Sequence, residues 1–308
     1  MTEQQIHRPV DDDALAALQS IAASTAAELG HPVLGDRVWR DLEAPSSESA
    51  IITAVDQGAV VGAMHLGAPD DEGVVTGSLV VAPATRRTAV ESDLVEAALG
   101  DLGHRHLTRL EYWVFGDAGD PGAPSGPPIR ALHQMRVHLP LHGADAEPMW
   151  PEETRVRPFE PGADAEPWLA VNNRAFAADP DQGGWTLATL HDRIAEPWFE
   201  PGGFLLAEDT VGAAGFCWTK VHPPAPPFDP EALGEIYVIG VDPSRQGTGL
   251  GRALVAAGLA WLSARGITIG MLFVDAANAP AVGLYEALGF VTVRTDRMFA
   301  CSVTEQSS

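Results

Sequence analysis

Three glycines at alternate positions, Gly247, Gly249 and Gly251, stand in the run "GVDPSRQGTGLGRALV" (240–255), between a valine-rich strand pattern and an apolar helical one. Glycine accepts left-handed backbone and lets the main chain approach a ligand closely. The head of the following helix adds outward N–H groups and partial positive charge, so the stretch suits a phosphate or pyrophosphate. A P-loop ends in Gly-Lys-Ser/Thr, whereas Gly251 is followed by Arg252-Ala253, which excludes that loop type. A dinucleotide fingerprint has GxGxxG after the first strand of a βαβ unit; here the spacing is GxGxG, far along the chain. Upstream, Glu235 lies on the otherwise apolar run "GEIYVIGV", where alternation groups it with Tyr237, Ile239 and Val241. A carboxylate is costly to bury without purpose, so Glu235 is a candidate base, with a structural ion pair as the alternative. Gly240 near the end of that run suggests a β-bulge there. Downstream, in "NAPAVGLYEALGF" (278–290), Asn278 is placed to cap a helix with Pro280 in its first turn. Tyr285 follows two turns along the same face.

Such residues need elements to hold them. In the second half "RVRPF" (155–159) reads as a strand, and "EPWLAVNNRAFA" and "TLATLHDRI" as helices. "GFLLAED" and "GAAGFCWTKV" read as strands joined by a short turn at Thr210. "GEIYVIGV" is a strand, 249–264 an amphipathic helix, "ITIGMLFV" a strand, "APAVGLYEAL" a helix and "RMFACSV" a last strand. The first half offers a similar order: a helix near 11–29, strands near 50–55, 59–66 and 74–81, a helix near 89–100 and a strand near 107–115. Residues 74–99 align with 234–259 without a gap, Val81-Ala82-Pro83 falling on Val241-Asp242-Pro243, which predicts an internal duplication. Beneath the three glycines the first copy carries Arg87, Ala89 and Glu91, and beneath Glu235 it carries Val75. A carboxylate where a phosphate would rest predicts a catalytically dead first copy. "GDAGDPGAPSGPP" (116–128) reads as a loop and "HGADAEPMWPEET" (142–154) as a break between domains. The expected organisation is a first α/β domain over 1–142, a linker over 143–153 and a second α/β domain over 154–308.

Composition narrows the function. With 308 residues and a net charge of −23, the chain is poorly suited to a phosphate backbone and compatible with a small cationic substrate. No apolar run has the length of a membrane span, and "MTEQQIHRPVDDD" lacks the pattern of a signal peptide, so a cytoplasmic location is expected. Cys217 and Cys301 make no disulfide framework; with neither CxxC nor HExxH spacing, no metal is expected.

Gln246-x-x-Gly249-x-Gly251 after a "VxxVDP" strand end resembles the pyrophosphate loop of the GCN5-related N-acetyltransferases (GNATs). The segment from Asn278 to Phe290 is similar to that family's Asn-x-x-Ala-x-x-x-Tyr-x-x-x-Gly-Phe signature. The resemblance implies two tandem GNAT-like domains, each a mixed, mostly antiparallel twisted sheet flanked by helices, and it implies acetyl-CoA as cosubstrate. It places Ile239, Gly240, Val241, Gln246, Gly247, Thr248, Gly249, Leu250, Gly251, Arg252, Asn278, Ala281 and Gly283 at the cofactor, with a vestigial cleft at Leu79, Val80 and Val81. Main-chain N–H groups around Ile239–Val241 would bond the thioester carbonyl, Glu235 would act as base, and Tyr285 would protonate the departing thiolate.

The strings "VNNRAFAADPDQGGWT" (171–186), "CWTKVHP" (217–223) and "GEIYVIGVDP" (234–243) narrow the resemblance within the family. They look like the two-domain members that acetylate the cysteinyl amine of a glucosaminyl-inositol conjugate, the last step of mycothiol biosynthesis. On that resemblance Asp36, Asp181, Lys220 and Glu235 contact the acceptor, and Phe273 stands where a tyrosine is expected. His222 and Trp185 are read as packing or loop-orienting residues. The partner implied is a small molecule, with no nucleic acid or membrane, acted on by a monomer. Two other readings stay open: a tandem acetyltransferase for another small amine or an aminoglycoside, and a non-catalytic acetyl-CoA-binding sensor.

Overall fold

The computed structural model describes residues 2–82, 89–116, 127–143, 147–177, 179 and 182–303, leaving out the side chain of Asp36. In chain order the first elements are β1 (Glu3–His7), α1 (Asp12–Leu29), α2 (Asp36–Glu43), β2 (Ala50–Asp56), β3 (Ala59–Leu66) and β4 (Val74–Val81). They continue with α3 (Val90–His104), β5 (Arg109–Val114), β6 (Arg130–His138), β7 (Arg155–Pro158), α4 (Ala165–Ala175) and α5 (Leu187–Ile194). The last are β8 (Phe204–Glu208), β9 (Ala213–His222), β10 (Leu233–Val241), α6 (Leu250–Ala264), β11 (Ile269–Asp275), α7 (Ala279–Ala287) and β12 (Val291–Ser302). Neither β1, α2 nor β6 stands out in the sequence: β1 is a polar pentapeptide, α2 spans only eight residues, and β6 is interrupted by charged and polar side chains. No helix among the described residues is long and apolar enough to cross a membrane.

The chain divides into two compact units that interleave in sequence: Met1–His133 with Asp275–Ala277 and Arg294–Ser308, and Gln134–Val274 with Asn278–Val293. In the first unit β1, β2, β3 and β4 pair antiparallel in succession, and β5 joins β4 in parallel after the α3 crossover. Residues 297–302 of β12 add an antiparallel strand to β5, so the end of the chain completes the first unit's sheet. One face of that sheet packs under α3, with Ile52, Met64, Leu66, Leu79 and Leu110 against Leu94, Ala98 and Leu102. Asp11 starts α1 by accepting the Ala14 N–H at 2.7 Å, and Gly30 at φ +78° ends it.

In the second unit β7, β8, β9 and β10 form an antiparallel meander, and β11 follows β10 in parallel after α6. The sheet is apolar on both faces. One face meets α6 and α7 through Cys217, Ile236, Leu254, Leu259, Leu272 and Tyr285. The other meets α4 and α5 through an aromatic cluster in which Trp218 stacks on Phe204 at 4.4 Å and Trp168 meets Phe216 edge-on at 5.2 Å.

The duplication is visible in the packing of two glycines. A Cβ on Gly62 in β3 would lie 2.9 Å from Val90 and 3.0 Å from Leu94 of α3. A Cβ on Gly215 in β9 would lie 3.1 Å from Leu254 and 3.4 Å from Leu250 of α6. Val90 and Leu94 are the residues that the ungapped alignment sets under Leu250 and Leu254. Each copy thus seats its crossover helix over a strand glycine, because a side chain there would push the helix off the sheet.

Candidate active site

The two signatures converge at the C-terminal end of β10. After Val241 the chain makes a short 3-10 turn, Pro243–Arg245, held by the Asp242 carboxylate, which accepts from the Ser244 N–H at 2.9 Å and its hydroxyl at 2.7 Å. The Ser244 donors and the Arg174 guanidinium, 2.7 Å away, hold the Asp242 carboxyl at about 2, against the effect of its burial. Thr248 closes the turn by donating to the Arg245 carbonyl at 2.7 Å. Gly247 and Gly249 take φ of +78° and +90°, a region that L side chains rarely adopt. Gly249 is the N-cap of α6 and supplies no side-chain cap. The first-turn N–H groups of the fifteen-residue α6 therefore open outward at Leu250 and Gly251, the usual makings of an anion seat. Gly251 needs no unusual backbone. A Cβ there would sit 3.5 Å from Val241 and 3.9 Å from Leu284, which brings the head of α6, the end of β10 and α7 together. Asn278 caps α7 as its sequence predicts, its Oδ1 accepting the Ala281 N–H at 3.2 Å. Gly283 has open space beside it, and Ala281 leans on the α6–α7 core.

Strands β10 and β11 pair only through Leu233↔Ile269, Gly234↔Gly270 and Glu235↔Met271. From there β10 runs on to Val241 against β9 alone, and a fork opens at Glu235. The equivalent strands of the first unit, β4 and β5, stay paired from Val74↔Arg109 to Leu79↔Val114. Leu79 is thus held from both sides, and Leu79, Val80 and Val81 are all buried. Ala89 and Glu91 flank the start of α3 as the alignment sets them, while Arg87 lies outside the described residues.

The register corrects two expectations about β10. Its irregularity lies between Ile236 and Val238, where Tyr237 is the extra residue, rather than at Gly240, which pairs regularly with Phe216. Gly240 is a packing glycine: a Cβ would meet the Phe216 ring at 2.7 Å. The inserted residue also changes the faces. Ile236 points to the α6–α7 core, Tyr237 and Val238 both to the aromatic core, and Ile239 and Val241 back to the α6–α7 core. Glu235, preceding Ile236 on regular strand, therefore faces the aromatic side with Tyr237 but not with Ile239 or Val241.

Tyr285 and Glu235, the expected proton donor and acceptor, consequently lie on opposite faces of the second unit's sheet. Tyr285 is 6% exposed within the α6–α7 core, and burial pushes its hydroxyl above the ordinary phenol range. Glu235, 8% exposed, faces Lys220 directly across β9 in register. Lys220 Nζ stands 5.0 Å over the Trp198 ring and 5.7 Å over Tyr237. His222 Nε2 lies 2.7 Å from Glu235 Oε2. Phe273 is partly exposed on β11, on the face away from the core residues Leu272 and Val274. Asp36 is the first residue of α2 in the first unit; Asp181 lies outside the described residues.

The sequence alone did not single out Trp198 and Tyr237 as the flanks of Lys220, and His222 read there as a packing or loop-orienting residue. The signal available was Lys220-Val221-His222: two polar side chains on one face of a strand whose neighbour carries Glu235. A cavity of about 320 Å³ lies beside α4, the 209–213 turn and Asp242–Arg245. It borders the glycine loop but contains neither Glu235 nor Tyr285, and its charges are paired as Arg174–Asp242 and Arg245–Asp209.

Comparison with known proteins shows the family and the fold. The acetyltransferase (GNAT) family matches residues 165–290. A mycothiol acetyltransferase of Thermomonospora curvata is 42% identical over 271 residues, 83% of this chain and 87% of the relative. One of Streptomyces coelicolor is 40% identical over 298 residues, 94% of this chain and 92% of the relative. Among solved structures, a GCN5-related N-acetyltransferase from Sphaerobacter thermophilus superposes with a TM-score of 0.73 at 22% identity, covering 97% of this chain and 96% of that one. A tandem GNAT protein from the clavulanic acid pathway superposes with a TM-score of 0.68 at 19% identity, covering all of both chains.

Proposed function

This chain belongs to the mycothiol acetyltransferases, a family of GNAT enzymes, and from that premise we propose that it moves acetyl from acetyl-CoA to the cysteinyl amine of a cysteinyl-glucosaminyl-inositol, completing mycothiol. The observation that carries the reading is the fork between β10 and β11, with a buried carboxylate at its root and an uncapped helix beside its mouth. The open N–H groups at Leu250 and Gly251, the left-handed turns at Gly247 and Gly249, and Gln246, Thr248 and Arg252 around them fit a pyrophosphate. Asn278, Ala281 and Gly283 line the neighbouring wall. Acetyl-CoA supplies an acyl carbon activated by a thiolate leaving group. Glu235 takes the proton that the acceptor amine gives up as the C–N bond forms, and Tyr285 Oη donates a proton to the departing sulfur. Burial raises the pKa of Tyr285, so its hydroxyl stays protonated through the neutral range. Main-chain N–H groups at Ile239–Val241 suit the acyl oxygen, where negative charge grows. Lys220, held over Trp198 and Tyr237, suits sugar or inositol hydroxyls, with Phe273 on β11, the other neighbour of β10.

Catalysis belongs to the second unit. The first copy has Val75 for Glu235 and its two parallel strands zipped past the equivalent point, so it offers neither base nor fork. A cytoplasmic monomer acting on small molecules is consistent with this chemistry. The test is turnover of the cysteinyl-glucosaminyl-inositol against a panel of other amines, with Glu235→Gln and Tyr285→Phe alongside. Each substitution is expected to lower kcat about 10²- to 10⁴-fold while acetyl-CoA still binds. Acetylation of another amine with none of this acceptor would refute the substrate assignment. Undiminished turnover in Glu235→Gln would refute the base.

A further inference from the structure

We infer that His222 is a positioning residue for the base: its Nε2–H holds Oε2 of Glu235 and turns Oε1 toward the acceptor amine. The inference rests on Glu235 being the base. His222 lies on β9 two residues beyond Lys220, so both project to the face that Glu235 occupies across the β9–β10 ladder. Lys220 is the direct register partner of Glu235, and His222 reaches it on the diagonal, its own partner being Leu233. The Nε2–Oε2 separation is 2.7 Å, a charge-assisted distance, and it is the one hydrogen bond to the Glu235 side chain among the described residues.

The chemistry assigns the donor. An ionised carboxylate only accepts, so the proton of that bond sits on His222 Nε2. The same bond fixes a side chain that otherwise turns about three single bonds at the root of the fork. It also splits the work of the two oxygens: Oε2 is occupied by the imidazole, and Oε1 remains for the proton the amine releases. Lys220, the register partner of Glu235, carries its Nζ over the Trp198 and Tyr237 rings.

His222→Phe keeps the bulk of the ring and removes the donor, whereas His222→Gln places an amide N–H where Nε2 stood. The full chain is assayed with saturating acceptor, and acetyl-CoA binding is followed by calorimetry. The expected result is a kcat about 10- to 100-fold lower in His222→Phe, the scale of a displaced catalytic group, with the acetyl-CoA Kd unchanged. His222→Gln is expected to recover most of that loss. A kcat in His222→Phe equal to that of the parent chain overturns the inference. So does His222→Gln as slow as His222→Phe, since a donor would then be irrelevant. Glu235→Gln keeps the two readings apart: if it is slow and His222→Phe is not, the positioning role alone fails, and if it is as fast as the parent chain the base itself fails.

Discussion

The three glycines of the loop are not equivalent, and replacing them singly with alanine separates backbone need from ligand need. At Gly249, with φ +90° and ψ −6°, an added Cβ meets nothing within 4 Å, so the whole penalty is conformational. A left-handed alanine costs about 1–2 kcal/mol. At Gly251, the second residue of α6, the added Cβ comes to 3.5 Å from Val241 and 3.9 Å from Leu284, both ordinary contacts. Exchanging glycine for alanine on helical backbone stabilises by up to about 1 kcal/mol. The two substitutions therefore carry opposite signs: Gly249→Ala lowers Tm by a few degrees, and Gly251→Ala leaves it unchanged or raises it, on a scale of about 2–4 °C per kcal/mol. Binding runs differently. The methyl at 251 points into the meeting of β10, α6 and α7, the proposed path of the thioester arm. Loss of one hydrogen bond to a charged group, about 1.5–3 kcal/mol, raises the acetyl-CoA Kd at least about tenfold. Thermal denaturation and calorimetry on both variants give the readout. A Gly251→Ala protein that binds acetyl-CoA as tightly as the parent chain would refute the placement of the cofactor. One that melts as early as Gly249→Ala would refute the backbone reading.

Two more outcomes follow from titrating groups. Asp242, held at about 2 by Ser244 and Arg174, is depressed below the unfolded value of 3.8, so its contribution is present above that value and lost as pH falls through it toward the folded one. Asp242→Asn should cost about 2 kcal/mol at neutral pH, the difference shrinking between about pH 4 and 2 in urea titrations; a difference constant with pH would contradict this. Cys217 is fully buried, and burial pushes its thiol up to about 12. A thiol reagent at mildly alkaline pH should label at most the partly exposed Cys301 in the folded chain and reach Cys217 only on unfolding; two fast-reacting thiols would disprove the packing described.

The two copies share one scaffold and differ at the proposed reaction site. Both seat a crossover helix over a strand glycine, Gly62 or Gly215, and both join two parallel strands through it. They differ in how far those strands stay paired. Six paired positions in the first copy bring the ladder to Leu79, and three in the second stop it at Glu235. Each further rung would satisfy main-chain groups that an acyl oxygen could otherwise use, so pairing and substrate compete for the same N–H donors.

Much of this was legible in the residues alone, because it depends on chemistry close in sequence. Alternation marked β8, β9 and β10, the apolar period marked α6, and Asn278 with Pro280 marked the start of α7. The glycine spacing reported the turn, since φ of +78° and +90° at Gly247 and Gly249 is a local demand that only glycine meets cheaply. Glu235 showed itself as a charge within an apolar run. Tertiary structure decided whatever depends on register between distant segments. One extra residue at Tyr237 reverses the faces of β10, and a strict period of two has no way to announce where such a residue falls. The length of the β10–β11 ladder, the pairing of β12 with β5 and the contact between His222 and Glu235 are each set by how strands slide past one another. That sliding is governed by packing across the whole sheet, to which no short window of sequence has access.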